Sequence, residues 1–454
     1  MTNLHPRDVI DVRPAGEPPA GELHRPFLVT SLSLATLLGF VLGIHVPLGR
    51  LLDTGRPERT ADLIQAHGQV QLLGFAGLFV IGMSLRLMPR FASSRIAFRG
   101  LLPIVLWLFA GGLIARAAVM PWFYGDVHSI LLIASVVALL IGSACFLLVV
   151  TGTLSIEARR FEASSLAFVL GALLLFGACA TAVLEAIDAV QADARGPAYL
   201  ADNAILQLEL NGFLLSFIVG VALRAIPQMV GIARPGRSAA LLAVLLAAST
   251  LILAASLLYI DQVSDTEAMR VLAGLAFAGF GLVLLGLAWQ TGVVRQAANR
   301  LRPASQPNLW LVRSAVLWLV VAGLASVYYG ISGVVDGELP GQLEFDAVRH
   351  SLGVGVVTML ICGMSMMILP EFAAARLTAN RQKTLALVVM ALLNVAALLR
   401  VLPSIAGSSW SADDRNLSMA IAGSLAETAL VIFTVYFFRV LWSRKSGRGG
   451  IHAT

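Results

Sequence analysis

Residues 67–89 read HGQVQLLGFAGLFVIGMSLRLMP. A histidine opens a long apolar run, glycines fall at 74 and 82, and Pro89 stands near its end. The run is long enough to cross a bilayer as one helix, which takes about 20 apolar residues. The same glycine and proline spacing returns as Gly212, Gly220 and Pro227, and again as Gly355, Gly363 and Pro370. Each copy is G-x7-G-x6-P, and the prolines lie 138 and 143 residues apart. Small residues at such spacing let helices, or a flat cofactor, approach the backbone closely, and the proline is expected to end each span.

Composition agrees with that start. Of 454 residues, 58% are apolar and only 13% charged, against roughly 25% charged in a soluble domain. The mean hydropathy is +0.85. A water-soluble enzyme is excluded, and three cysteines exclude a disulfide scaffold. Twelve apolar stretches follow, near 27–49, 63–88, 101–123, 128–153, 164–190, 203–232, 239–260, 268–294, 311–334, 346–371, 384–406 and 417–441. The repeated helix is the second, sixth and tenth of these. The expected fold is therefore an all-α polytopic membrane protein of about twelve helices in three pseudo-repeated four-helix units. Residues 1–26 read as a disordered tail, 27–443 as the membrane domain and 444–454 as a short basic tail.

Positive charge orients the chain. With the N-terminus in the cytoplasm, the loops and ends on that side hold 23 of the 32 Lys and Arg residues, so both termini are expected to be cytoplasmic. The net charge of +6 follows from that rim and points to a membrane surface, not to nucleic acid.

Seven histidines occur. His5, His24 and His452 fall in the tails and are expected to be solvated. His67 and His350 lie at one depth in the second and tenth spans, while His45 closes the first span and His128 opens the fourth. A histidine inside a membrane is costly unless paired or ligating. Two imidazoles on repeated helices suit axial ligation of a haem iron; the bland alternative is that each is satisfied by a neighbouring carbonyl or hydroxyl. For His45 and His128 that alternative leads, with metal ligation the lesser reading.

Haem propionates need cations. Arg116, Arg349 and Arg400 lie on the otherwise charge-poor outer side and could supply them, or could simply snorkel. Gly74, two helical turns from His67, could face a porphyrin edge, whereas Gly355 lies off the His350 face and Gly353 nearer to it. The intramembrane acids are Glu185, Asp188, Glu209 and Glu427, with Glu344 and Asp346 at a helix start. Glu209 and Glu427 are the deepest, and could relay protons or pair with arginines. Cys145, Cys179 and Cys362 fall in different helices without metal spacing.

Several local motifs carry a family resemblance. Arg25-Pro26-Phe27 opens the first helix, His67-Gly68-Gln69-Val70-Gln71-Leu72-Leu73-Gly74-Phe75 the second, Arg349-His350 the tenth, and Leu398-Leu399-Arg400-Val401-Leu402 sits in the eleventh. The chain resembles the NnrS family of haem- and copper-containing membrane proteins, linked to nitric oxide tolerance, and more distantly haem–copper oxidase subunit I. The resemblance implies haem b, with copper as a further cofactor, in the bacterial cytoplasmic (inner) membrane. It also implies nitric oxide or another small gas as ligand, and a respiratory-chain partner or homo-oligomer as assembly. The family motif in helix two is H-x-H, whereas this chain has Gln69 at the second position, which puts the copper or a second haem in doubt. Residues 203–261 hold no histidine, so a terminal-oxidase metal site with ligands from helices six and seven is not expected. A haem-free transporter and a non-catalytic subunit of a respiratory complex remain the alternatives, and no catalytic residue is assigned.

A green fluorescent protein fused after Thr454 should fluoresce in cells, because that end is expected to be cytoplasmic. A dark fusion, with an active alkaline phosphatase at the same place, would reverse the orientation.

Overall fold

The computed structural model describes residues 22–54, 57–92, 94–155, 162–230, 238–294, 306–373 and 379–446. The tail residues 1–21 and 447–454, with His5 and His452, lie outside the described residues. So do several arginines of the expected cytoplasmic rim, among them Arg234, Arg237, Arg300 and Arg302.

Twelve helices among the described residues are long and apolar enough to cross a membrane. They are α1 Arg25–Leu51, α2 Arg59–Ala92, α3 Arg99–Trp122, α4 Gly125–Ser155, α5 Ala163–Gln191, α6 Tyr199–Pro227, α7 Ser238–Gln262, α8 Glu267–Thr291, α9 Pro307–Asp336, α10 Gln342–Ile368, α11 Asn380–Ala406 and α12 Ala412–Trp442. The most apolar stretches of α2, α6 and α10 are 78%, 89% and 78% buried, against 33–50% for the other nine spans. The three repeated helices thus form an inner ring. The outer helices turn side chains such as Leu37, Trp107, Ile130, Tyr328 and Val335 outward, as surfaces facing lipid must.

The second glycine of each repeat meets the same neighbour in its own unit. A Cβ on Gly82 would lie 2.9 Å from Phe27 of α1, one on Gly220 2.8 Å from Phe168 of α5, and one on Gly363 2.9 Å from Leu311 of α9. In each unit, then, the second helix packs on the first through one glycine. The repeats share a backbone irregularity as well. Wide π-helical turns occupy Val70–Gly77 in α2, Leu208–Leu214 in α6 and Ser351–Thr358 in α10. They end 12, 13 and 12 residues before Pro89, Pro227 and Pro370. Further π turns lie at Ala35–Gly39 in α1 and Ala115–Val119 in α3. The prolines do not terminate the helices, as the sequence led us to expect: helical backbone continues to Ala92 and Ala373, and in α6 a turn at Leu223 and Arg224 precedes a short helix, Ala225–Val230, that holds Pro227. A proline removes one ladder bond, and this close to a helix end the remaining turn survives.

His24 is buried rather than solvated, with Arg86 Nη1 donating to its Nε2 at 3.3 Å. The chain entering α1 lies against α2, and a Cβ on Gly82 would approach the His24 carbonyl at 3.2 Å.

Helices α8 and α9 approach most closely. A Cβ on Gly281 would lie 2.5 Å from the Gly323 carbonyl, and one on Gly330 2.5 Å from the Ala278 amide. Lipid gives no hydrophobic drive to helix association, so such backbone contact is what holds the pair. Gly281→Val should cost about 3 kcal/mol, the upper end for overpacking because the obstacle is backbone. Gly279→Ala, where a Cβ would meet nothing within 4 Å, should be neutral. Thermal unfolding in detergent reads both.

Candidate functional site

Helix α10 starts at Gln342, after Pro340-Gly341, with Glu344 in its first turn, where a carboxylate favours the helix dipole. Eight residues later it presents His350, immediately before its π turn. His67 stands three residues before the π turn of α2. These wide turns loosen the ladder of backbone hydrogen bonds and commonly sit at functional sites. Three carbonyls of π segments take side-chain donors. Ser31 Oγ donates to Phe75 at 2.7 Å, Thr358 Oγ1 to Gly353 at 2.9 Å, and His67 Nδ1 to Gly39 at 2.8 Å.

That last bond fixes the imidazole. A carbonyl can only accept, so Nδ1 of His67 carries the proton and the Nε2 lone pair is left free. A Cβ on Gly43 would lie 2.7 Å from His67 Cε1, so the ring needs a glycine on α1 beside it. His350 is held in the same tautomer: its Nδ1 donates to the Asp346 carbonyl at 2.9 Å and lies 3.2 Å from Asp346 Oδ1. The other carboxylate oxygen of Asp346 lies 3.6 Å from Arg400 Nη2. One aspartate therefore ties a histidine of α10 to an arginine of α11.

His67 and His350 line a single cavity. Its walls come from α1, α2, α6, α10, α11 and α12, and Arg349, Arg400, Asp202 and Gly353 stand in them. Arg349 Nη2 donates to Asn203 Oδ1 of α6 at 2.7 Å. Among the described residues no three His, Cys, Asp or Glu side chains cluster as a metal site. The donor set is two imidazoles with free Nε2 atoms, and two arginines at their end of a roomy apolar slot. That set fits a flat metal macrocycle with acidic substituents better than a bare ion, because the macrocycle brings its own equatorial ligands.

The other candidates fall elsewhere. Gly74 does not line the cavity: a Cβ there would meet Leu113 of α3 and Leu34 of α1 at 3.3 and 3.4 Å. The seven-residue spacing from His67 assumed a regular α-helix, and the π turn between them shifts the phase. Gly355 packs on Trp318 of α9, while Gly353 faces the cavity. Arg116 is 2% exposed and lies outside the lining, reaching the wall only through Gln65, whose Oε1 accepts from its Nη2 at 3.4 Å. His45 is exposed at the end of α1. His128 is buried 3.5 Å from Asp62 Oδ2, in a cluster where Arg195 Nε donates to the same carboxylate at 2.7 Å. Glu209, in the π turn of α6, and Glu427, on α12, each keep a buried Oε2 without a hydrogen-bond partner, and neither lines the cavity. Sequence reading gave Asp346 no role, although its D-x3-H spacing puts it on the His350 face of a helix. Asp62 and Arg195 carried no signal, being 133 residues apart.

A family model described as NnrS protein matches residues 22–445. No curated protein matches. Among solved structures, a chain from the cryo-EM structure of a heme-copper terminal oxidase dimer superposes with a TM-score of 0.65 at 11% identity, covering 94% of this chain and 84% of that chain. At that identity the likeness shows the fold alone, an oxidase subunit I-like arrangement of helices.

Asp62 is 1% exposed and Arg195 about a quarter exposed. Arg195→Ala should strand the carboxylate and cost roughly 2–3 kcal/mol, less than for a fully buried pair. Adding Asp62→Leu should recover most of the loss in thermal unfolding, since both charges are then gone.

Proposed function

The chain belongs to the NnrS family, and from that premise we propose that it is a haem b protein acting in the response to nitric oxide or in membrane electron transfer. The observation that carries this reading is the pair of Nδ1-anchored imidazoles, His67 and His350, on one cavity in the inner ring. Their free Nε2 atoms would hold the haem iron. Gly39 and Asp346 hold the rings in orientation and raise their basicity, as outer partners of ligating histidines do. Arg349 and Arg400, both in the cavity wall, would bind the propionates, and guanidinium forks suit that task. Arg116 supports the wall through Gln65. Bound haem would supply a one-electron iron couple and an iron able to take a diatomic gas.

Residues of α6 and α7 between 203 and 261 hold no histidine, so the reading omits the His-ligated copper of a terminal oxidase. Glu209 and Glu427 are assigned a secondary role in proton movement, on the ground of their buried, unpartnered carboxylate oxygens. The distribution of Lys and Arg supports both termini inside, and the family supports a bacterial cytoplasmic membrane. Its partners are then the bilayer, nitric oxide or a similar gas, and a respiratory-chain protein or a second copy.

A pyridine haemochrome assay on the purified protein should give protohaem, and its complete absence would falsify the reading. His67→Ala and His350→Ala should each lose the low-spin spectrum, while His45→Ala and His128→Ala keep it. Asp346→Ala should retain haem roughly 10–100-fold less tightly, the usual effect of losing an outer partner. Transfer of haem to apomyoglobin measures that loss.

A further inference from the structure

Two more cavities lie on the proline side of the histidine cavity. The first is lined by the inner ring itself: Phe79 and Met83 of α2, Phe217 and Ile218 of α6, Leu360 and Met364 of α10. The second lies between α6, α8, α9 and α10, against Leu284, Leu287, Ala315 and Leu319. They share Ile218, Ala222, Ile226 and Leu360 as a common wall. The first also meets the histidine cavity at Val357, which lines both. Val357 sits in the π turn of α10, seven residues from His350.

The chemistry of the walls decides what can occupy them. Among the described residues, Ser365 is the only polar residue lining the first cavity and Thr291 the only one lining the second, and no charged, imidazole or amide side chain faces either. An apolar cavity without polar partners stays dry and takes up small non-polar guests. Ions, water chains and polar substrates are excluded, because burying them unpaired costs several kcal/mol. A cofactor with a polar head would find nothing to hold it. The first cavity is lined by residues of the three most buried helices. The second touches the outer helices α8 and α9 just past their last glycine contact, Gly281 on Gly323.

We propose that these cavities bind an uncharged diatomic gas and form its access path, from between α8 and α9, past Ala222 and Leu360, to Val357 and the histidine cavity. The path's destination rests on the haem reading above; the cavities themselves do not. Xenon, a non-polar probe of similar size, separates the two. In the purified protein under xenon pressure, density or a bound 129Xe signal is expected in both cavities, with or without haem. Xenon missing from both, or ordered water or an acyl chain in them, overturns the proposal. Ala222→Phe fills the shared wall. It should displace the xenon and slow gas binding to the reduced haem about tenfold, while leaving the absorption spectrum unchanged. Leu360→Phe obstructs the same wall from α10 and should act alike. An unchanged rate in a variant that keeps its spectrum and has lost its xenon overturns the path. A colourless protein that still binds xenon refutes the haem reading and leaves the gas site standing.

Discussion

Inside a bilayer every hydrogen-bonding group must find its partner within the protein, and that constraint organises this molecule. A straight α-helix satisfies it without help. The inner helices depart from regularity by inserting π turns, and each departure frees backbone groups that a side chain can use. His67 donates to the Gly39 carbonyl at the end of the π turn in α1. The same bond that satisfies the backbone fixes the tautomer of the imidazole and leaves its other nitrogen free. The site is thus a consequence of local irregularity in helices that are otherwise held by packing.

The threefold repeat supplies the second requirement, a space. In each unit one glycine presses the second helix against the first, which draws α2, α6 and α10 into a central ring. Three helices with glycine-rich, π-widened middles cannot fill their own centre. Cavities remain between them, and the side chains on each wall decide their chemistry. Where α1, α11 and α12 close the wall, histidines, arginines and aspartates face inward. Where α8 and α9 close it, only aliphatic groups and one threonine stand near among the described residues.

Charge placement follows the same economy of partners. Asp346 serves His350 and Arg400 together, and Asp62 serves Arg195 and His128 together. A carboxylate shared by two cationic or donor groups has its desolvation cost offset in part by each of them. Arg116 is the exception. It is buried, its Nε and Nη1 lack partners, and Asp62, Asp202 and Glu209 lie within electrostatic reach.

Periodicity and composition alone determined that the chain has twelve apolar helices, that the second, sixth and tenth repeat one another, and that His67 and His350 occupy corresponding ends of two of them. Those properties are local, written in one helix at a time, and the apolar length needed to cross a bilayer makes them readable. Tertiary structure decided the rest. Gly74 turned away from the cavity because a π turn, which no composition signal marks, changed the phase of α2. Arg116 and Arg400, alike in sequence, parted company, since only one stands on a helix that closes the histidine cavity. Asp62 met Arg195 across 133 residues. Which side chains share a cavity depends on how the faces of separate helices are brought together, and pairwise packing between distant segments leaves no trace in the spacing of either one.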